Sequence, residues 1–303
     1  MDLMKYFLLK KYNVLTLLFL STTIIQAQYT KQINTNRPSH SMGAYAVGEK
    51  TIQLEGGYTH QEYYSDEELP GVKSNEIDID IRVGAFFEQL EFLAQVNYID
   101  ANTFNGSISG FHTIELGAKL LIFDSYKNYE EKINIYSWKA NQRYKFRRLV
   151  PTIALYAGYQ FNTPKNHIYP TPDAQSVARL ITQQHLSKKW TFVTNWYAEN
   201  LEDDMYTNYG YIATLSFAVN YKTSLFIENE GKWINKNINA PTFDDTLLLR
   251  AGTTYRINNN MQIDASLAHT ISQTPKHWQL GIGLSWRNQR PTVWKDPYEN
   301  INP

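Results

Sequence analysis

Cysteine is absent from this chain of 303 residues, so a disulfide framework, a lipid-modified N-terminal cysteine and a thiolate metal site are all excluded. Long apolar runs are also missing after the first 27 residues, which excludes a protein of membrane-spanning helices. Neither sign of charge is in large excess. Residues 1–27 hold three of the 29 basic and one of the 29 acidic residues, so the remaining chain has 26 basic and 28 acidic residues. A near-neutral chain offers no broad surface for nucleic acid.

The first residues predict where the chain goes. An apolar run from Val14 to Ile25 follows three lysines and is closed by the small residue Ala27. The run is too short for a spanning helix, and its flanks are those of a signal peptide. The sequence therefore predicts a cleaved signal peptide over residues 1–27 and export through the inner membrane to the outer membrane of a Gram-negative cell.

The dominant pattern of the mature chain is alternation with a period of two. Ile77, Ile79 and Ile81 alternate with polar residues, so one face of this strand suits lipid and the other suits water. About twelve such stretches predict an all-β fold, a transmembrane antiparallel β-barrel over residues 51–288. The predicted strands are 51–64, 74–88, 89–100, 108–123, 150–163, 174–186, 190–201, 206–222, 223–234, 245–258, 260–272 and 276–288.

The predicted connections are of two kinds. They are short after strands two, six, eight and ten, and longer after strands one, three, five and nine. Short turns of such barrels are periplasmic and long loops are external, so both termini are expected in the periplasm. Two girdles of outward aromatic residues are expected as well. One girdle comprises Trp190, Tyr221, Tyr255 and Trp286, and the other comprises Tyr209, Tyr211, Trp233 and Trp278.

Three segments depart from a plain barrel. Residues 28–50 are expected to form a periplasmic N-terminal segment and residues 289–303 a periplasmic tail. Residues 124–149 form a basic, aromatic-rich insertion on the side where turns should be short, which suits either a periplasmic protein partner or lipid head groups. An extended hairpin with solvated charges is the alternative. The docking candidates are Trp138, Lys139, Arg143, Lys145, Arg147 and Arg148.

The polar face of the strands supplies the candidate lumen. Both signs of charge are present in similar number, so the side chains either pair across a narrow interior and occlude it, or line a passage and set its field. A twelve-stranded barrel lies between side-chain-filled small barrels and open porins, which leaves both alternatives open. The lumen-lining candidates are Asp78, Asp80, Arg82, Glu115, Lys119, Arg179, Glu228, Glu230, Lys232, Arg250 and Arg256.

An enzyme is the rival class, because a lipid hydrolase in a barrel wall needs a serine and a histidine at one depth on the lipid face. His60, His112 and His269 fall on the outward register, whereas the strand serines point inward. No metal-ligand spacing and no phosphate-binding loop is recognisable. The sequence therefore predicts no catalytic residues, no metal and no cofactor, with a lipid-modifying enzyme kept as an alternative.

The run Asn34-Thr35-Asn36-Arg37-Pro38, followed by Gly48-Glu49-Lys50 and an alternating strand, resembles the N-terminus of a family of outer-membrane barrels. This family is the transporters named for the phenol meta-cleavage pathway, common in Bacteroidetes. A second block, from Ser176 to Trp190, is similar to a strand-turn-strand of the same family. Asn36 stands where the family usually has Asp, and the basic insertion and the tail are additions to its pattern.

The resemblance implies a porin-like channel or transporter that passes small solutes passively, hydrophobic or aromatic ones among them. The expected partners are therefore outer-membrane lipids and a small-molecule solute. The alternative is a structural or adaptor barrel that anchors a periplasmic partner through the basic insertion.

Overall fold

The computed structural model describes residues 32–64, 72–103, 106–126, 136–137, 139, 145–163, 173–202, 207–234, 246–271 and 276–288. The predicted signal peptide and the predicted C-terminal tail lie outside these residues. No helix within them is long and apolar enough to cross a membrane.

Twelve strands form one closed antiparallel barrel, in which each strand pairs with its neighbours in the chain and the first pairs with the last. This confirms the predicted fold class. A short 3-10 helix, Phe146–Leu149, precedes the fifth strand. The strands are β1 (Ile52–Tyr64), β2 (Val72–Gly84), β3 (Leu90–Thr103), β4 (Gly106–Phe123), β5 (Thr152–Asn162), β6 (Ala174–His185), β7 (Trp190–Glu199), β8 (Asn208–Ala218), β9 (Thr223–Ile234), β10 (Thr246–Asn258), β11 (Met261–Thr270) and β12 (Lys276–Arg287).

The connections distinguish the two ends of the barrel. Residues 186–189, 219–222 and 259–260 connect strands at the end where β1 begins and β12 finishes, which we call the turn end. The opposite end is the loop end. One expectation was wrong here: β3 and β4 are joined by residues 104–105 alone, because both strands extend beyond their predicted bounds.

Apolar side chains cover the outer surface of the barrel. Ile77 and Ile79 are each 46% exposed, whereas Gln53 and Glu55 on the neighbouring strand are buried inside. The outward aromatic residues lie toward the strand ends, with Trp190 and Trp286 at the turn end and Tyr209 and Trp233 at the loop end. Such a surface matches lipid, so the predicted assignment of the two faces is confirmed.

A β-bulge in β4 changes one predicted orientation. Asn97 pairs with Thr113 and Tyr98 pairs with Phe111, so His112 is an extra residue between the two pairs. The insertion places Phe111 on the outer surface, and His112 lines the lumen instead of facing lipid. The prediction of an outward His112 was therefore wrong.

The N-terminal segment lies inside the barrel. Of residues 33–47, Ile33, Met42, Ala44 and Val47 are almost completely buried, and Met42 and Ala44 pack against inward-facing side chains of the strands. The sequence assigned residues 28–50 to the periplasm, and the structure corrects this for the described part. The segment turns inward because its backbone finds hydrogen-bond partners on the polar inner wall.

Candidate functional site

Residues 33–47, here called the plug, cross the lumen without forming a strand or a helix. Their backbone and side chains make hydrogen bonds or ion pairs to all twelve strands. The wall residues that make these contacts include Glu55, Arg82, Glu91, Lys119, Thr152, Gln183, Asn195, Thr214, Glu228, Arg250, Gln262 and the Ile282 carbonyl.

Buried carboxylates satisfy much of the plug backbone. Glu55 Oε2 accepts from the N–H groups of Asn36 at 3.0 Å and Arg37 at 3.1 Å. Glu91 Oε2 accepts from the N–H of Val47 at 2.7 Å. A segment without its own secondary structure needs external partners for its buried amides, and the inner wall supplies them.

The same carboxylates belong to a buried charge network at the turn end. Arg82 lies between Glu55, at 2.9 Å, and Glu91, at 3.0 Å, while Lys119 Nζ lies 2.7 Å from Glu91 Oε1. All four side chains are 0% exposed. Lys119 also donates to the carbonyls of Gly43 and Tyr45 in the plug, at 2.8 and 3.1 Å. Two cations and two anions balance, as buried charges require.

A second network holds the middle of the plug. Glu228 accepts from the backbone N–H groups of His40 and Ser41 and pairs with Arg250. Potential metal ligands on His40, Glu228 and Glu230 lie within 4.8 Å of one another. The Arg250 guanidinium lies 3.0 Å from His40 Nε2 and pairs with Glu228, so it already supplies the positive charge that a metal ion would bring. We therefore interpret this cluster as a structural ion-pair network.

Amide side chains and apolar contacts complete the plug. Asn195 accepts from the Met42 N–H at 2.7 Å and donates to the Met42 carbonyl at 3.0 Å, which mimics a pair of strand hydrogen bonds. Met42 and Ala44 pack in an apolar cluster with residues of β3 to β6. Burial raises the pKa of Tyr45 above its usual value, so its hydroxyl stays protonated and donates to Asp124 at 3.2 Å.

Beyond the plug, toward the loop end, the lumen contains a chamber of about 400 Å³. The plug contributes residues 36–40 and Met42 to its lining, and the barrel wall contributes the rest. The wall is mostly polar. Its charged members are Glu76, Asp78, Asp80, Glu115, Arg179, Glu199, Glu230, Lys232 and Arg250.

The lumen-lining candidates from the sequence separate into three groups. Asp78, Asp80, Glu115, Arg179, Glu230, Lys232 and Arg250 line the chamber. Arg82, Lys119 and Glu228 are buried against the plug. Arg256 lies close to the turn end, where it donates to the Tyr221 carbonyl at 2.7 Å. The alternation thus identified residues that face the lumen, and the position of the plug determines which of them line the chamber.

The docking candidates of the basic insertion are only partly described. Trp138 and Arg143 lie outside the described residues, whereas Lys139 and Arg147 are exposed and Lys145 and Arg148 are half-buried. Arg147 donates to the Ser125 carbonyl at 3.3 Å. A docking role for this insertion stays a prediction.

Sequence reasoning missed the plug and its neutral partners. Gln183 and Asn195 are uncharged inward residues, and nothing in the alternation distinguishes them from other polar lumen residues. The run Asn36-Arg37-Pro38 was the available signal, because it marked the segment as unlike a strand.

Similar structures show the same fold. A crystal structure of an outer membrane channel from Pseudomonas putida F1 superposes with a TM-score of 0.58 at 14% identity, over 85% of this chain and 100% of that one. The NanC porin superposes with a TM-score of 0.50 at 9% identity, over 78% of this chain and 98% of that one. None of the curated proteins matches this chain.

A family model, described as "Putative MetA-pathway of phenol degradation", matches residues 35–288. The match covers the plug from Thr35 onward and the whole barrel, which confirms the resemblance found in the sequence. This chain therefore belongs to that family of outer-membrane β-barrels.

Proposed function

We propose that this protein is a passive outer-membrane channel for small solutes, in which the plug limits passage. The observation that carries the proposal is a polar chamber of about 400 Å³ inside a closed barrel, bounded at one side by a segment with no secondary structure. A wall of paired strands cannot open without breaking its ladder, whereas a segment held by side-chain hydrogen bonds is displaced at lower cost.

The chain's topology and surface support this role. An apolar exterior with aromatic residues at both ends suits a bilayer, and the predicted signal peptide would deliver the chain to the outer membrane. Solute enters the chamber from the loop end and crosses the barrel when the plug is displaced. Neither step requires a catalytic group.

The test is single-channel conductance of the purified protein in a planar bilayer, compared with a variant that lacks residues 33–47. We expect small, intermittent currents from the complete protein and larger, steadier currents from the variant. Heat-modifiable mobility in gel electrophoresis serves as the folding control. Absence of current from both folded proteins would contradict a channel and favour the adaptor role, which a pull-down through the basic insertion would then test.

A further inference from the structure

Three carboxylates on β2 face the chamber, and among the described residues no cation of the barrel wall lies within ion-pair distance of them. Glu76, Asp78 and Asp80 occupy alternate positions of the strand, and all three are half-buried. Asn97 donates to Asp78 at 2.6 Å and to Glu76 at 3.4 Å, and Gln95 hydrogen-bonds Asp80. Amide donors orient these carboxylates without bringing a positive charge to them.

The wall cations of the chamber are held elsewhere. Lys232 lies 2.7 Å from Glu199, and Arg250 pairs with Glu228. The Arg179 guanidinium lies 5.8 Å from the Tyr156 ring centroid and 5.7 Å from that of Tyr197, where both rings stabilise it. The β2 side of the chamber is therefore acidic.

The cation that approaches this side comes from the plug. The Arg37 guanidinium lies in a niche formed by Gly57 and Gly283, which are directly opposite each other on β1 and β12. A Cβ atom at Gly57 would lie 2.0 Å from Arg37 Cζ, and one at Gly283 would lie 2.5 Å from its Nε. Two glycines thus leave room for a flat guanidinium against the wall.

Two aspartates flank this niche. Arg37 Nη1 lies 4.0 Å from Asp78 and Nη2 lies 3.8 Å from Asp264, while Nη2 donates to the Ile282 carbonyl at 3.3 Å. The Asp264 side chain is 0% exposed, and within the part of the chain that the structure describes neither of its oxygens has a hydrogen-bond partner. A buried carboxylate without a donor is unfavourable, so Asp264 can accept hydrogen bonds from a guanidinium that Arg37 does not supply.

We propose that this niche is a guanidinium-binding site of the channel, and that the solutes it passes carry a guanidinium group. The inference rests on the proposed function and names its solute class. Arg37 occupies the site when no solute is present. A solute that binds there displaces Arg37 and removes one of the plug's attachments to the wall, which links binding to passage.

The binding test uses the Arg37→Ala variant, in which the niche is vacant, together with L-arginine and L-citrulline as probes. Citrulline has nearly the same shape but carries an uncharged urea group. By titration calorimetry on the folded protein in detergent, we expect L-arginine to bind at least about tenfold more tightly than L-citrulline, because charge-assisted hydrogen bonds are the stronger kind. The Asp264→Asn change in the same background should remove the difference.

The outcomes separate the two proposals. Equal binding of both probes by folded R37A would overturn the guanidinium site, whatever the conductance shows. If R37A folds poorly, Arg37→Gln serves as the second variant, since it keeps a long polar side chain without the charge. In bilayers, L-arginine but not L-citrulline should interrupt the current of the variant. If neither probe affects the current, the protein is a channel but its solutes do not carry a guanidinium group. If L-arginine binds but no current flows, the guanidinium site stands and the channel is contradicted.

Discussion

The two halves of the lumen differ in how far the plug covers their charged side chains. At the turn end, Arg82, Lys119, Glu55 and Glu91 are completely buried, balance one another and bind the plug. In the chamber, Asp78 is 33% exposed and its hydrogen bond comes from the uncharged Asn97. One alternating pattern thus produces a structural half and a half available to solute, and the difference lies in whether the plug covers the side chain.

The largest expected effect lies at the turn end, where the plug covers the charged side chains. Arg82→Met removes the guanidinium between two buried carboxylates, and we expect the free energy of unfolding to fall by about 3–5 kcal/mol, because an unpaired buried charge remains. Reversible urea unfolding in detergent or lipid vesicles measures this change.

The matched control is Asp78→Asn, on the same strand but in the chamber. We expect a change within about 0.5 kcal/mol, since the residue is partly solvated and has an amide partner. Equal destabilisation by both variants would show that the two halves do not differ as described.

The lipid-facing wall is common to both halves, and a second variant tests it. Ile282 lies midway between Trp278 and Trp286 on β12 and is 57% exposed. Ile282→Arg should destabilise the barrel by about 2–4 kcal/mol, because it places a charge near the middle of the bilayer.

Thr59→Arg introduces the same side chain into the chamber on the neighbouring strand. We expect it to be nearly silent in the same unfolding assay. A greater cost for Thr59→Arg than for Ile282→Arg would mean that the inner and outer faces are reversed.

The attachment of the plug alone should contribute less than the buried charge network or the lipid-facing wall. Asn195→Ala removes both hydrogen bonds to Met42, which should cost about 1–3 kcal/mol locally. Hydrogen exchange followed by mass spectrometry should show faster exchange in residues 40–45, with the strands unchanged. Faster exchange throughout the barrel would instead mean that the plug is an inseparable part of the fold.

The strands were predictable because each is 10 to 18 residues long and alternates over most of its length. A local pattern of that length fixes both the strand and its outward face. The orientation of His112 was not predictable, because the bulge depends on how β4 pairs with β3. The short β3–β4 connection escaped prediction for a similar reason, since pairing extended both strands past their alternating parts.

The plug was not predictable from any periodicity. Met42 and Asn195 are 153 positions apart in the chain, and contacts of this kind hold the plug in place. The sequence could show that Arg82 and Asp78 both face inward, but their roles depend on how deep the plug reaches. The glycine niche of Arg37 likewise exists only because β1 and β12 close the barrel.

The most direct test of the plug's role fixes it to the wall. Ser41 Oγ lies 2.8 Å from Thr214 Oγ1, and the natural chain contains no cysteine, so the double variant Ser41→Cys, Thr214→Cys has one disulfide to form. Single-channel conductance would be recorded before and after reduction, with each single variant as a control. We expect the oxidised double variant to be closed and reduction to restore current. Equal current in both states would contradict the claim that the plug limits passage.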